Sequence, residues 1–261
     1  MSYYLNCIKS HTEVIRDLKE LIPDMNIRRR MSPLIKTAVA TGMEVLADFG
    51  ERCPIDAIVT ASRLGCITDS EKFLSNIIDN NEQMLNPTPF IQSTFNTVGA
   101  QIALLKGLHC YNMTYSHREI SLESALLDAM IRLDNKSSQA VLIGVFDEIT
   151  PTVRTILARM QIPEHEHGAT FFVVTADRYD SSLAELLNLS FDSNKTAQEG
   201  LTTPSRCNAA IVTTYGNTAF MLKEVLLGNT PANPSFLHKN NITMINQNGS
   251  KTHSVIQLKC I

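Results

Sequence analysis

The most informative segment of this chain is Gly107-Leu-His-Cys-Tyr-Asn-Met-Thr-Tyr-Ser-His117. It lies between residues 93–106 and residues 120–133, two segments whose apolar residues recur at helical spacing. Residues 110–114 within it are a strand candidate, and the apolar run 140–146 that follows is another. The stretch therefore predicts a short strand between two helices, followed by a buried strand.

Helix and strand patterns alternate along most of the remaining chain. Ser32 and Pro33 predict the start of a helix that Gly50 ends, and Thr68 to Glu71 has the spacing of a capping box. The other expected elements are strands at residues 55–61, 169–175, 209–213 and 254–258, helices at 11–21 and 219–227, a turn at 86–89, and an irregular segment at 191–206. This alternation predicts an α/β architecture in which helices cover a buried sheet. No internal repeat is evident in the sequence, and we expect residues 1–31 to form a capping extension.

Composition bounds the classes of function. The chain has 261 residues, 44% of them hydrophobic, with a net charge of −3 and a pI of about 6.2. This balance does not favour nucleic-acid or anionic-membrane binding, and no apolar run approaches the ~20 residues needed to span a bilayer. Residues 1–10 lack the pattern of a signal peptide. The six cysteines are scattered, which predicts buried thiols and a cytoplasmic location.

The opening stretch resembles the nucleophile region of the β-ketoacyl synthases. In that family a Gly-Pro pair precedes a short strand, the sequence Thr-Ala-Cys and a long helix. Here Gly107 keeps the glycine, Leu108 takes the proline position and Thr114 keeps the threonine. Tyr115 takes the alanine position, and Ser116 stands where the nucleophilic cysteine is expected. The resemblance implies a condensing-enzyme scaffold without its condensing thiol.

Other segments resemble the same family in order and spacing, over about residues 28–176. They are Arg29-Arg30-Met31-Ser32, Asp56-Ala-Ile-Val-Thr-Ala-Ser62, Phe95-Asn96-Thr-Val-Gly99, Ala140-Val-Leu-Ile-Gly144 with Asp147-Glu148, and Gly168-Ala-Thr-Phe-Phe-Val-Val174. Near the end of the chain, Met244-Ile-Asn-Gln-Asn-Gly249 resembles the family's final Gly-rich turn. The resemblance implies one thiolase-like unit over residues 1–261, a layered α/β/α fold in which residues 177–261 form an abbreviated second half.

The resemblance also implies a role in fatty-acid or polyketide-type biosynthesis. We expect a non-catalytic, chain-length-factor-like subunit that pairs with a full-length β-ketoacyl synthase, an acyl carrier protein or both, and that needs no cofactor or metal. Family members dimerise through the strand before the nucleophile, which would be residues 110–114 here, so a homo- or heterodimer is expected. Two alternatives remain open: an acyltransferase or thioester hydrolase that uses Ser116, and an unrelated α/β binding module.

Several residues could support chemistry. A serine needs a base to act as a nucleophile, and His117 is the neighbouring candidate, although Ser116 could equally be a capping hydroxyl. The family's two catalytic histidine loops have no counterpart, because His238 and His253 stand in other motifs. The remaining candidates have structural interpretations as well: Cys110 as a buried thiol, His165-Glu166-His167 as a solvated loop, and Asp147, Glu148 and Asp177 as polar residues that end strands.

Overall fold

The computed structural model describes residues 2–162, 164, 167–191, 209–214, 222, 224, 226, 241–248 and 251–261. Its strands are β1 (Tyr3–Ser10), β2 (Ile55–Ala61), β3 (Tyr111–Tyr115), β4 (Ala140–Asp147), β5 (Gly168–Thr175), β6 (Ser182–Phe191), β7 (Ala209–Thr214), β8 (Asn241–Asn248) and β9 (Lys251–Cys260). Its helices are α1 (Leu18–Leu21), α2 (Met25–Arg30), α3 (Pro33–Phe49), α4 (Ile67–Asp79), α5 (Pro87–Ser93), α6 (Thr97–Lys106), α7 (Ser121–Asp134) and α8 (Pro151–Arg159). Residues 222, 224 and 226 are also helical.

The strands form one mixed sheet with the order β3-β2-β4-β5-β1-β6-β9-β8-β7. In the first half of this order, β2 is parallel to β4, β4 is antiparallel to β5, and β5 is antiparallel to β1. The second half repeats the pattern, with β7 parallel to β8, β8 antiparallel to β9, and β9 antiparallel to β6. The halves meet where β1 pairs antiparallel with β6. The sheet is therefore built from two related halves, a repeat that the sequence does not reveal.

Two hydrophobic cores lie on opposite faces of the first half of the sheet. One packs the outer helices α3 and α6 against it and includes Ile35, Ile102 and Phe171. The other surrounds α7 and joins residues of both halves, such as Leu126 and Ile256. All five side chains are at most 1% exposed, and burying one of this size contributes about 1.5–3 kcal/mol. The helix α7 is thus a central layer, which agrees with the expected thiolase-like layering.

The strongly patterned elements form where the sequence predicts them. The strand β2 has the predicted bounds, and β4 and β5 are fully buried, as their continuous apolar runs indicate. The helix α3 begins at Pro33, where the fixed φ of proline suits the first helical position. It ends at Gly50, whose φ of 63° favours glycine.

The expectation for the N-terminus was wrong. Residues 1–31 do not form a capping extension, because β1 lies in the middle of the sheet between β5 and β6. Residues 11–21 are not one amphipathic helix but a 3₁₀ turn, His11–Glu13, and the short helix α1. Because a strand pairs with β1 on each side, β1 is buried even where its residues are polar. Asn6, for example, is 0% exposed, and its Nδ2 donates to Thr175 Oγ1 at 3.0 Å.

Local signals in residues 66–106 were also misjudged. The helix α4 begins at Ile67 and Cys66 precedes it, so Thr68 lies within the first turn and does not cap the helix. The Thr68 hydroxyl instead donates to Glu148 Oε2 at 2.8 Å. Residues 86–89 start α5, where Asn86 caps the helix by accepting from the N–H of Thr88. The segment 93–106 is not one helix, because Ser93 is the last residue of α5 and α6 begins at Thr97. Within the described ranges, no helix is long and apolar enough to cross a membrane.

Candidate functional site

Ser116 lies in the loop between β3 and α7. The strand ends one residue before it, at Tyr115, and a 3₁₀ turn, Arg118–Ile120, separates it from Ser121, the first residue of α7. Its side chain is exposed and makes no hydrogen bond in the described part of the chain. The hydroxyl therefore lies near the start of α7, but Ser116 is not part of the first turn of that helix.

His117 does not form a pair with Ser116. Its ring Nδ1 lies 3.2 Å from the hydroxyl of Ser124, one turn into α7, and its backbone N–H donates to Ser121 Oγ at 2.9 Å. Adjacent residues at a strand end point in different directions, which accounts for the separation. A serine hydroxyl without a base is a poor nucleophile, so this arrangement does not favour nucleophilic chemistry at Ser116.

Ser121 connects the start of α7 to the end of β2. Its hydroxyl donates to the carbonyl oxygen of Arg118 at 2.7 Å and also lies 3.3 Å from that of Ser62. Two segments that resemble the synthases meet nearby, because the Thr114 hydroxyl donates to Asn96 Oδ1 at 3.0 Å and lies 2.6 Å from Thr60 Oγ1. The sequence identified Asn96 and Thr114 by resemblance, and the fold brings them together.

A buried polar cluster of Glu123, Asn246 and Ser254 joins α7 to β8 and β9. Glu123 Oε1 accepts from Asn246 Nδ2 at 3.0 Å and from Ser254 Oγ at 2.7 Å. The three residues are at most 1% exposed. Asn246 Nδ2 also donates to the carbonyl oxygen of Glu119, and the Glu119 side chain pairs with Arg63 at 2.9 Å. The first turns of α7 are thus bonded to the second half of the sheet through a carboxylate.

Sequence reasoning missed this polar cluster. Asn246 and Ser254 lie in the segment that resembles the family's final turn and strand, but they carried no expected role. The available signal was Glu123 itself, a carboxylate in a helix with a strong apolar stripe. A buried charge requires a polar partner, so Glu123 could have been flagged, but not its two partners.

Asp147 organises the loop that follows β2. Its Oδ1 accepts from the Ser62 hydroxyl at 2.9 Å and from the N–H groups of Arg63 and Leu64 at 2.9 and 2.8 Å. Burial raises the pKa of Asp147 to about 6, although these donors and the Arg63 charge oppose the rise. Asp147 makes its bonds to the protein itself, so the structure gives it the role of fixing a loop.

The other candidate residues do not assemble into a site. Cys110 is half-buried, and desolvation raises the pKa of its thiol, which makes a reactive thiolate less accessible. Glu148 binds Thr68, and Asp177 is exposed. His165, Glu166 and His238, and the side chain of His253, lie outside the described residues. Within the part of the chain that is described, no three His, Cys, Asp or Glu residues are grouped so as to hold a metal ion.

Comparison with known proteins places these features in context. A family model described as the β-ketoacyl synthase N-terminal domain matches residues 9–224. No curated protein matches the sequence at a significant level.

Solved structures match the fold at low sequence identity. A chain of "AntDE:AntF (apo): type II PKS acyl-carrier protein in complex with its ketosynthase bound to the hexaketide" has a TM-score of 0.74 and 14% identity, with 100% of this chain and 99% of that chain covered. "The ishigamide ketosynthase/chain length factor" has a TM-score of 0.67 and 15% identity, with 94% and 85% covered. The ketosynthase ApeO in complex with its chain length factor ApeC, from Xenorhabdus doucetiae, has a TM-score of 0.60 and 16% identity, with 90% and 81% covered.

Proposed function

The chain belongs to the family of the β-ketoacyl synthase N-terminal domain, and from this premise we propose that it is a non-condensing, chain-length-factor-like subunit of fatty-acid or polyketide-type biosynthesis. Its partner is a full-length β-ketoacyl synthase, which receives its substrates from an acyl carrier protein. The scattered cysteines fit a cytoplasmic location, since the five in the described residues are all free thiols.

The main support for this proposal is the environment of Ser116. Condensation requires a thiolate, which a helix N-terminus favours by lowering the thiol pKa. Ser116 takes that position by resemblance, is exposed, and has no hydrogen bond to His117. The same observation argues against the acyltransferase and hydrolase alternatives, because both need an activated hydroxyl.

The polar cluster of Glu123, Asn246 and Ser254 supports the proposal. Catalysis needs preorganised donors directed at a developing oxyanion. Here the donors from Asn246 and Ser254 are directed at a protein carboxylate instead. We further propose that residues 177–261 are the abbreviated second half, since β6 to β9 repeat the pairing pattern of β1, β2, β4 and β5.

The surface around β3 supports a dimer. The strand β3 is at one edge of the sheet and contains no proline or lysine, two residues that commonly protect edges. Met113 on this strand and Leu127 and Ile131 on α7 are 41–49% exposed. The strand β3 is bonded to α7, because the Tyr111 hydroxyl donates to Asp128 at 3.0 Å. A partner strand would pair with this edge, and the interface should bury well over ~1,000 Å² in total.

Affinity purification from the native host tests the partner. The tagged chain should retain a β-ketoacyl synthase in a stoichiometric complex. Met113→Asp should release the synthase, because it places a charge in the proposed interface. Ile156→Asp is the matched control, since Ile156 is 48% exposed on α8. A chain that is monomeric by light scattering at tens of micromolar, alone and with every co-purified synthase, would refute the assembly.

An activity assay tests whether the chain lacks condensing activity. The isolated chain, incubated with acyl- and malonyl-carrier protein, should form no β-ketoacyl product, and Ser116→Ala should behave as the wild type. Product formation or thioester hydrolysis that Ser116→Ala abolishes would establish the alternative instead.

A further inference from the structure

A cavity of about 540 Å³ lies in the outer helical layer, between α2, the start of α3, α5 and α6. This volume is within the range of about 300–1,000 Å³ that is usual for small-molecule sites. The α3 and α6 helices pack on the face of the sheet opposite to α7, so the cavity is separate from the polar cluster.

Five of the ten residues that line the cavity are apolar. Met31 and Ile35 are buried in the outer core and contribute its inner side. Ile91 on α5 and Leu104 on α6 also line it, yet they are 60% and 65% exposed. Two large aliphatic side chains are therefore left in water beside a cavity, and an aliphatic ligand would remove them from it at about 25 cal/mol per Å² buried.

Arg30 places a positive charge in the same wall. It lies in the last turn of α2, is exposed, and makes no ion pair or hydrogen bond within the described ranges. A ligand carboxylate can therefore pair with Arg30 without displacing a protein partner, and an exposed ion pair of this kind contributes about 0.2–1 kcal/mol.

We propose that this cavity binds an amphipathic monoanion, an aliphatic carboxylate. The aliphatic chain of the ligand packs on Ile91, Leu104 and the buried apolar residues of the wall, and its carboxylate pairs with Arg30. The proposal is independent of the synthase partnership, because it uses none of the residues of β3 or α7.

Calorimetric titration of the full chain tests the site with unbranched carboxylates of four to ten carbons. Each added methylene should tighten binding about fourfold until the cavity is filled. The primary alcohol of the same length should bind about two- to fivefold more weakly than the acid, because it cannot form an ion pair with Arg30. The absence of saturable binding throughout the series, or equal affinity for the acid and the alcohol, would overturn the proposal.

Matched variants locate the site. Arg30→Ala should weaken carboxylate binding about two- to fivefold, the range for an exposed ion pair, and should leave the binding of the corresponding alcohol unchanged. Arg29→Ala is the control, because Arg29 is an exposed arginine of the same turn that does not line the cavity. Leu104→Trp should fill the cavity and abolish binding, while Ile156→Trp should not. Binding that persists in Leu104→Trp, or that responds equally to Arg29→Ala and Arg30→Ala, would place the ligand elsewhere and refute the assignment.

Discussion

Replacing Asp147 with asparagine should change how the stability of this protein depends on pH. Asp147 is 5% exposed, and its Oδ1 accepts from the Ser62 hydroxyl and from the N–H groups of Arg63 and Leu64. Among the described residues, its Oδ2 accepts from the Arg63 N–H alone, at 3.1 Å. Asparagine can keep its carbonyl oxygen in the Oδ1 position and has no charge at any pH, although its amide nitrogen cannot accept from the Arg63 N–H as Oδ2 does. That loss is the same at every pH, so the pH dependence of the difference between the two proteins reports the ionisation of Asp147.

The magnitude follows from the pKa. Burial raises the pKa of Asp147 from its ordinary 3.8 to about 6, which corresponds to about 3 kcal/mol. Between these two values the folded state holds the proton that the unfolded state has lost. The wild type therefore has the full benefit of the neutral group below pH 3.8 and loses it as pH rises through about 6. The asparagine variant has no such proton, so its free energy of unfolding minus that of the wild type should rise by about 2–3 kcal/mol from pH 4 to pH 7.5.

Urea denaturation of both proteins across this pH range measures the difference directly, because ionisations common to the two proteins cancel. Glu51→Gln, which removes an exposed carboxylate, is the control for the loss of one negative charge. A difference that is constant with pH would refute the raised pKa. A difference that falls as pH rises would show that the three donors outweigh desolvation and that the pKa of Asp147 is lowered.

Three further outcomes are expected. Glu123→Ala should lower the free energy of unfolding, measured by urea denaturation, by about 2–5 kcal/mol, because it leaves the buried Asn246 side chain without its carboxylate acceptor. An effect below about 1 kcal/mol would show that the polar cluster contributes little to stability. Gly144→Ala should lower stability by about 1–3 kcal/mol or more, because the new Cβ would overlap the ring of Phe171, and the combination with Phe171→Leu should restore part of the loss in thermal melts. Met113→Asp should shift the light-scattering mass of any dimer toward the monomer and leave the circular dichroism spectrum of the folded chain unchanged, and an unchanged mass would exclude this edge as the interface.

Part of the fold and the site could be predicted because some signals are local. The helix α7 has an apolar stripe, and β2 and β5 have apolar runs whose lengths suit strands, so their types follow from spacing alone. The start of α3 at Pro33 and its end at Gly50 could also be predicted from local signals. The start of α5 was open to the same reasoning, since Asn86 and Pro87 are a favoured cap and first residue, but the two prolines suggested a turn.

The spacing of the residues predicted that the chain alternates helices and strands and that β3 leads toward α7, and the resemblance to the β-ketoacyl synthases predicted that Ser116 takes the position of their nucleophilic cysteine. Each of these depends on residues within one or two elements. The sequence did not predict that β1 lies in the middle of the sheet, where two related halves meet, because strand order arises from pairing between segments that are distant along the chain. The tertiary structure alone brought Glu123 to Asn246 and Ser254, which are 123 and 131 residues away along the chain. No rule of residue spacing relates residues so far apart. They are brought together because a buried carboxylate in the low-dielectric interior needs hydrogen-bond donors, and here the fold supplies them from distant strands.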